Sequence, residues 1–260
     1  PESPLYPTRV DELCARCHPN VPKKIARSPH GRRTAAGQPN ANCIDCHVGH
    51  AVAAPVEPLA QIESCGKCHS EVAAQNRASL HGRAAVKGDP VAPNCIICHN
   101  HHEILPHSDP ASPTNVVNVP LLCGRCHREG TEVSLQHDIP QDRILENYSM
   151  SIHGEGLYRQ GLIVTAICTS CHTAHDILPS SDPLSSVHMD NRVETCARCH
   201  EGATPQSGIM EITIPWGQYE DTFEREIFRV AKGEVTQPIQ AGSGPFPPQT
   251  SMARAAWLAG

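Results

Sequence analysis

Cys14-Ala15-Arg16-Cys17-His18 is the first of seven occurrences of one pattern, Cys-x-x-Cys-His, and the other six open at Cys43, Cys65, Cys95, Cys123, Cys168 and Cys196. The seven copies use all fourteen cysteines: Cys14, Cys17, Cys43, Cys46, Cys65, Cys68, Cys95, Cys98, Cys123, Cys126, Cys168, Cys171, Cys196 and Cys199. Each copy ends on a histidine, namely His18, His47, His69, His99, His127, His172 and His200. Two thiols three positions apart can each add to one vinyl group of a single haem, and the histidine that follows can reach the iron from one face. Zinc sites and disulfide frameworks also use Cys-x-x-Cys pairs, but neither requires a histidine directly after the second cysteine. With 17 histidines in 260 residues, seven chance placements there have a probability of roughly a few in a billion, which favours covalent c-type haem over both alternatives.

Composition agrees with a chain built around cofactors. It has three Phe, two Trp and four Tyr against 24 Pro and 18 Gly, too little bulky apolar material for an ordinary core of this length. Seven haems would supply that surface, so the expectation is a haem-chain core that the apoprotein cannot hold. The formal charge of −6 becomes more negative once propionates are counted, which excludes nucleic acid as a natural partner. Haem is joined to such motifs outside the cytoplasmic membrane, so a periplasmic or extracellular site is expected. The opening Pro1-Glu2-Ser3-Pro4 reads as a mature form after removal of a signal peptide. The longest apolar run, residues 162–168, is far below the ~20 residues of a membrane span. The C-terminal residues 253–260 are compatible with the approach to an anchor in a longer gene product.

The motifs form an internal repeat. The first unit (residues 1–55) places Ser28-Pro29-His30-Gly31 between its two motifs and ends Cys46-His47-Val48-Gly49-His50. The second (56–112) has Ser79-Leu80-His81-Gly82, then Cys98-His99-Asn100-His101-His102. The third (113–184) has Ser151-Ile152-His153-Gly154, then Cys171-His172-Thr173-Ala174-His175. Cys17 to His30 and Cys68 to His81 are both 13 residues, while Cys126 to His153 is 27, so the third unit carries an insertion of 14. A helix is expected in it over residues 143–148. Units two and three share a tail, Ile104-Leu105-Pro106 to Asp109-Pro110 against Ile177-Leu178-Pro179 to Asp182-Pro183. The seventh motif (185–205) opens a fourth unit with no histidine after His200.

The fold class expected is mainly α with extensive irregular loops and little β, each motif on a short helix between Pro- and Gly-rich connections. The clearest strand candidate is 210–214. Residues 206–260 form a haem-free tail holding six of the nine aromatics. Tyr219, Phe223, Ile227 and Val230 fall at helical spacing, on a helix that either covers the last haems or docks a partner, a membrane or a second subunit. The proline-rich segment 237–249 reads as extended.

Ten histidines remain for the second axial position of seven irons. Repetition selects His30, His81 and His153, and His50, His102 and His175. A residue three along a helical turn from a proximal ligand lies on the same face, so the latter three are expected to serve a neighbouring haem. His188 and His137 compete for the seventh place. His101 competes with His102, and His107 is replaced by Ser180 in the matching tail. Met150 and Met189 are the sulfur alternatives.

These elements resemble the multihaem c-type cytochromes whose haem pairs are linked by Ser-x-His-Gly and Cys-x-x-Cys-His-x-x-His, across residues 14–200. That group includes quinol-linked haem subunits, octahaem oxidoreductases and subunits of extracellular cytochrome nanowires. The resemblance implies stacked or T-shaped neighbouring haems of low potential, electron transfer without substrate chemistry, and redox proteins, a membrane quinol-linked complex or further copies of the chain as partners. The alternative it carries is a reductase of a small nitrogen or sulfur oxyanion with one open iron, placed at the seventh motif. The chain has no Cys-x-x-Cys-Lys, the mark of the nitrite reductases, and nothing in the sequence around Tyr148, Tyr158 or Tyr219 singles out a cross-linking tyrosine.

Overall fold

Apolar side chains are scarce inside this protein. In the computed structural model, which describes residues 3, 9–35, 37, 40–47, 57–137, 139 and 143–200, the buried hydrophobic residues are Val10, Ile62, Ala85, Ala92, Leu105, Val119, Leu145 and Leu157. Three of them are in one cluster, Ile62 with Ala85 and Ala92, edged by Ala73, Ala84 and Cys95. Leu135, Ile163, Val164, Leu184 and Met189 stand in solvent. Side-chain burial on this scale is small against the conformational entropy of a chain this long.

Among the described residues the structure is helical, with no strand. Contacts divide the chain into two units, one running to Leu122 and including Ala174–Ile177, the other comprising Cys123–Thr173 and the residues from Leu178 onward. The division cuts across the sequence repeat. Residues 174–177 belong to the first unit because the Leu80 N–H donates to the Ile177 carbonyl at 2.8 Å and because His175 meets His99.

The first unit contains α1 (Val10–Ala15), α2 (Val21–Arg27), a 3-10 turn (Pro29–Gly31), α3 (Cys43–Cys46), α4 (Pro58–Gly66), α5 (Ser70–Ala78), α6 (Leu80–Val86) and α7 (Cys95–His99). Pro58 begins α4, where its missing N–H costs nothing. Residues α4, α5 and α6 enclose the Ile62 cluster. The buried Gln61 side chain accepts the Ile96 N–H at 3.1 Å and so ties α7 to α4. Asp11 does the same in the first repeat, accepting the Cys43 N–H at 2.9 Å and tying α3 to α1.

Past α8 (Val119–Gly124), the second unit contains α9 (Glu132–Gln136), α10 (Ile144–Met150), α11 (Ile152–Tyr158), α12 (Cys168–His172) and α13 (Arg192–Ala197). The helix expected over 143–148 is α10, and the insertion also supplies α9. Tyr148 on α10 donates its hydroxyl to the Ala166 carbonyl at 3.0 Å, two residues before α12. The strand and helix expected within 206–260 lie outside the described residues. No helix among the described residues is long and apolar enough to cross a membrane.

Candidate cofactor-binding site

The seven motifs take two alternating local forms. In the first, third, fifth and seventh the leading cysteine closes a helix: Cys14 in α1, Cys65 in α4, Cys123 in α8 and Cys196 in α13. In the second, fourth and sixth the leading cysteine opens one: Cys43 in α3, Cys95 in α7 and Cys168 in α12. Asn42 and Asn94 cap two of these starts, accepting the N–H of Ile44 at 3.1 Å and of Ile97 at 3.0 Å. At the third, Ser170 reaches back to accept the Ile167 N–H at 3.1 Å.

One helical turn spans the motif. The histidine N–H donates to the leading cysteine carbonyl at 2.9 Å in His18, His69 and His127, 2.8 Å in His47 and 3.0 Å in His200. Residues three and four apart on a turn share a face, so both sulfurs and the imidazole address the same side. None of the fourteen cysteines is in a disulfide. Among the described residues no group of three or more His, Cys, Asp or Glu converges as a structural zinc site requires.

Sulfurs of successive motifs are neighbours. In the first unit Cys65 shares a hydrogen bond with Cys95, which raises the Cys65 thiol and lowers that of Cys95. Cys43 is raised by burial, then by Asp11 and Cys14. Cys46 is raised by burial and next by Cys65 of the following motif. In the second unit Cys168 is lowered by its hydrogen bond with Cys123, and Cys171 is raised by burial and then by Cys196. The motifs therefore follow one another in space as in sequence inside each unit.

Imidazoles meet in pairs, and each pair joins one motif histidine to one histidine from a different repeat. His69 faces His30 at 6.1 Å between ring centroids, and His47 faces His102 at 6.0 Å. His99 faces His175 and His200 faces His153, both at 6.0 Å. Two metal–imidazole bonds of about 2 Å in line, plus the half-widths of two rings, give roughly 6.2 Å. Each separation matches what two imidazoles would have if they held one metal between them. Burial lowers His30, His99, His102 and His153, and the facing histidine lowers each further or, for His102, His101 and then His47. Burial also lowers His175, with Asp176 opposing. Such imidazoles are held neutral, with a nitrogen lone pair available to a metal.

The pairs share a register. The histidine after Ser28 or Ser151 meets the first motif of the following repeat, and the histidine three past a second motif meets the second motif of the preceding one. That second group does not sit on a helical turn as expected. Helices α7 and α12 stop at His99 and His172, and the next residues turn left-handed, Asn100 at φ 62° and Thr173 at φ 65°. The chain leaves its own motif there and delivers His102 and His175 to another.

The remaining candidates are placed as follows. His81 is at the second position of α6, and His127 follows α8. His50 lies outside the described residues. His137 ends α9, donating its N–H to the Val133 carbonyl. His101 stands edge-on to His102 at 5.2 Å, and the exposed His107 uses its carbonyl to accept the Asn115 amide. Among the described residues no imidazole faces His18 or His172 as in the four pairs. The seventh motif, where an unusual iron was expected, has His153 opposite His200.

His188 sits at a turn position that the preceding repeat also has. The shared tail continues beyond Pro110 and Pro183 at a constant offset of 73 residues, through Ser112 and Ser185 to Asn118 and Asn191. Both serines donate to a leucine carbonyl at 3.1 Å, Leu105 and Leu178. Asn118 donates to Pro110 and Ser112 at 2.9 and 2.8 Å, and Asn191 to Pro183 and Ser185 at 2.8 and 2.9 Å. In that register His188 matches Asn115. Asn115 accepts the Val117 N–H, and His188 Nδ1 accepts the Asp190 N–H at 3.3 Å. The same 73-residue offset in the sequence carries this correspondence.

No protein-family model matches the chain, and no similar curated protein or solved structure is found.

Proposed function

We propose that this chain is an electron-transfer protein holding seven covalently attached haems, outside the cytoplasmic membrane. The observation that carries the reading is the set of four imidazole pairs at 6.0–6.1 Å, each made of one motif histidine and one histidine from another repeat. A haem iron between two imidazoles exchanges one electron at low potential without binding substrate. The chain's own work is then positional. Paired cysteines fix each macrocycle at a helix end, His18, His47, His69, His99, His127, His172 and His200 hold one face, and His30, His81, His102, His153 and His175 hold the other. The succession of neighbouring sulfurs sets the haems in sequence order within each unit. Redox proteins, a quinol-linked membrane complex or further copies of the chain are the partners such a conduit would exchange electrons with.

A second reading, a reductase of a small nitrogen or sulfur oxyanion, would need one iron with an open face. Electron paramagnetic resonance of the fully oxidised protein separates the two. The conduit reading expects only low-spin ferric haem, and a stoichiometric high-spin signal that shifts with nitrite or sulfite supports the enzyme.

A further inference from the structure

The Ser-x-His-Gly element is one structural module repeated three times, and its glycine has a stereochemical reason. In every copy a helix ends, a serine turns the corner, and a second helical turn begins whose second residue is the histidine: α2 to the 3-10 turn, α5 to α6, and α10 to α11. Ser28, Ser79 and Ser151 are N-caps. Ser79 accepts the Gly82 N–H at 3.0 Å, Ser151 accepts the Gly154 N–H at 3.2 Å, and Ser28 accepts the His30 N–H at 3.1 Å. The serine N–H donates to a carbonyl three residues upstream, Ile25 at 2.9 Å, Asn76 at 3.0 Å and Tyr148 at 3.0 Å. The hydroxyls of Ser79 and Ser151 donate to the same Asn76 and Tyr148 carbonyls at 2.6 and 2.7 Å.

That carbonyl is also what the glycine rests on. A Cβ on Gly31 would lie 2.2 Å from the Ile25 oxygen, on Gly82 1.8 Å from the Asn76 oxygen, and on Gly154 2.0 Å from the Tyr148 oxygen. The offset is six residues in all three copies, and the third keeps it despite the 14-residue insertion upstream. All three glycines have ordinary negative φ, so the requirement is close approach and not backbone conformation.

We propose that Gly31, Gly82 and Gly154, with their capping serines, are positioning residues for the distal ligand. They seat the histidine-bearing turn on the end of the preceding helix and so fix how far the imidazole reaches. The proposal rests on the haem reading above. Relieving the Gly154 clash to a normal contact needs a shift of about 1 Å, whereas metal–ligand bonds tolerate about ±0.2 Å. A methyl group at Gly154 therefore pulls His153 off the iron that His200 holds.

Gly156, on the same helix, is the internal control, because a Cβ there meets the Thr165 hydroxyl at 3.4 Å, an ordinary contact. The experiment compares Gly154→Ala, Gly156→Ala, His153→Ala and the double variant Gly154→Ala/His153→Ala, all as holoprotein. Haem content is measured by pyridine haemochrome and spin state by electron paramagnetic resonance. Expected are seven haems throughout, one additional high-spin iron per chain in Gly154→Ala and in His153→Ala, no more in the double variant, and none in Gly156→Ala. Added imidazole should return the iron to low spin. Gly154→Ala remaining as low-spin as Gly156→Ala, or a double variant with two additional high-spin irons, would overturn the proposal. If Gly154→Ala does not accumulate, Ser151→Ala is measured instead: a partial high-spin signal supports the proposal and an unchanged spectrum refutes it. Absence of haem from the unsubstituted protein is a different result, and removes the functional reading itself.

Discussion

Replacing His175 with alanine tests the cross-repeat pairing directly. The His175 ring is 6.0 Å from that of His99 and within 19° of parallel. On the proposed haem reading, alanine would leave His99 as the single protein ligand of the iron held between them. The vacated side is deep enough for a diatomic gas, since the gap of about 2 Å to the lost nitrogen is extended by the roughly 3.5 Å length of an imidazole. The expected magnitude is one iron in seven: one additional equivalent of carbon monoxide bound by the reduced protein, and about one-seventh of the oxidised low-spin signal lost. Which haem opens is the discriminating question, because His175 lies three residues from His172 in sequence but faces His99 in space. In a Cys95→Ser/Cys98→Ser background, which removes the fourth haem, His175→Ala should add no carbon monoxide site. In a Cys168→Ser/Cys171→Ser background the extra site should persist. The reverse pattern would show that His175 serves its own motif and would refute the register.

Other consequences follow from the same geometry. Asn118→Ala and Asn191→Ala each remove two hydrogen bonds to backbone carbonyls, worth about 1–2 kcal/mol of local stability. Hydrogen exchange should speed up roughly 5- to 30-fold over residues 105–118 in the first and 178–191 in the second, and unchanged rates would deny the tail its role. With so few buried apolar side chains, polypeptide produced without haem maturation should be unfolded. Rapid proteolysis throughout and little helical circular dichroism are expected, and a folded, protease-resistant apoprotein would contradict a cofactor-built core.

Much of this arrangement can be read in the chain because its chemistry is local. Cys-x-x-Cys-His needs only one turn of helix to aim two sulfurs and an imidazole together, so spacing alone places those three groups on one side of a turn. The helix expected over residues 143–148 is there as α10. Residues that depend on register were harder to see. The constant offset of 73 between Cys95 and Cys168 also runs through Asn118 and Asn191, which assigns His188 to the turn position of Asn115. Left-handed Asn100 and Thr173 carry no composition signal, so a continued helix was the natural expectation after His99 and His172. Pairing between repeats is set by tertiary placement, and a periodic sequence permits pairing within a repeat equally well. The Ser-x-His-Gly repeat marks Gly154 and not Gly156, but its physical reason, the Tyr148 carbonyl beneath Gly154, is visible only in the structure.

The central claim, seven covalently bound haems, is tested most directly by the intact mass of the denatured protein purified from a host competent in haem attachment. The account predicts a mass above that of the polypeptide by seven additions of roughly 0.6 kDa each, retained in acid and organic solvent because thioether bonds hold them. A polypeptide at its bare mass, or one that loses fourteen hydrogens as seven disulfides form, would contradict it.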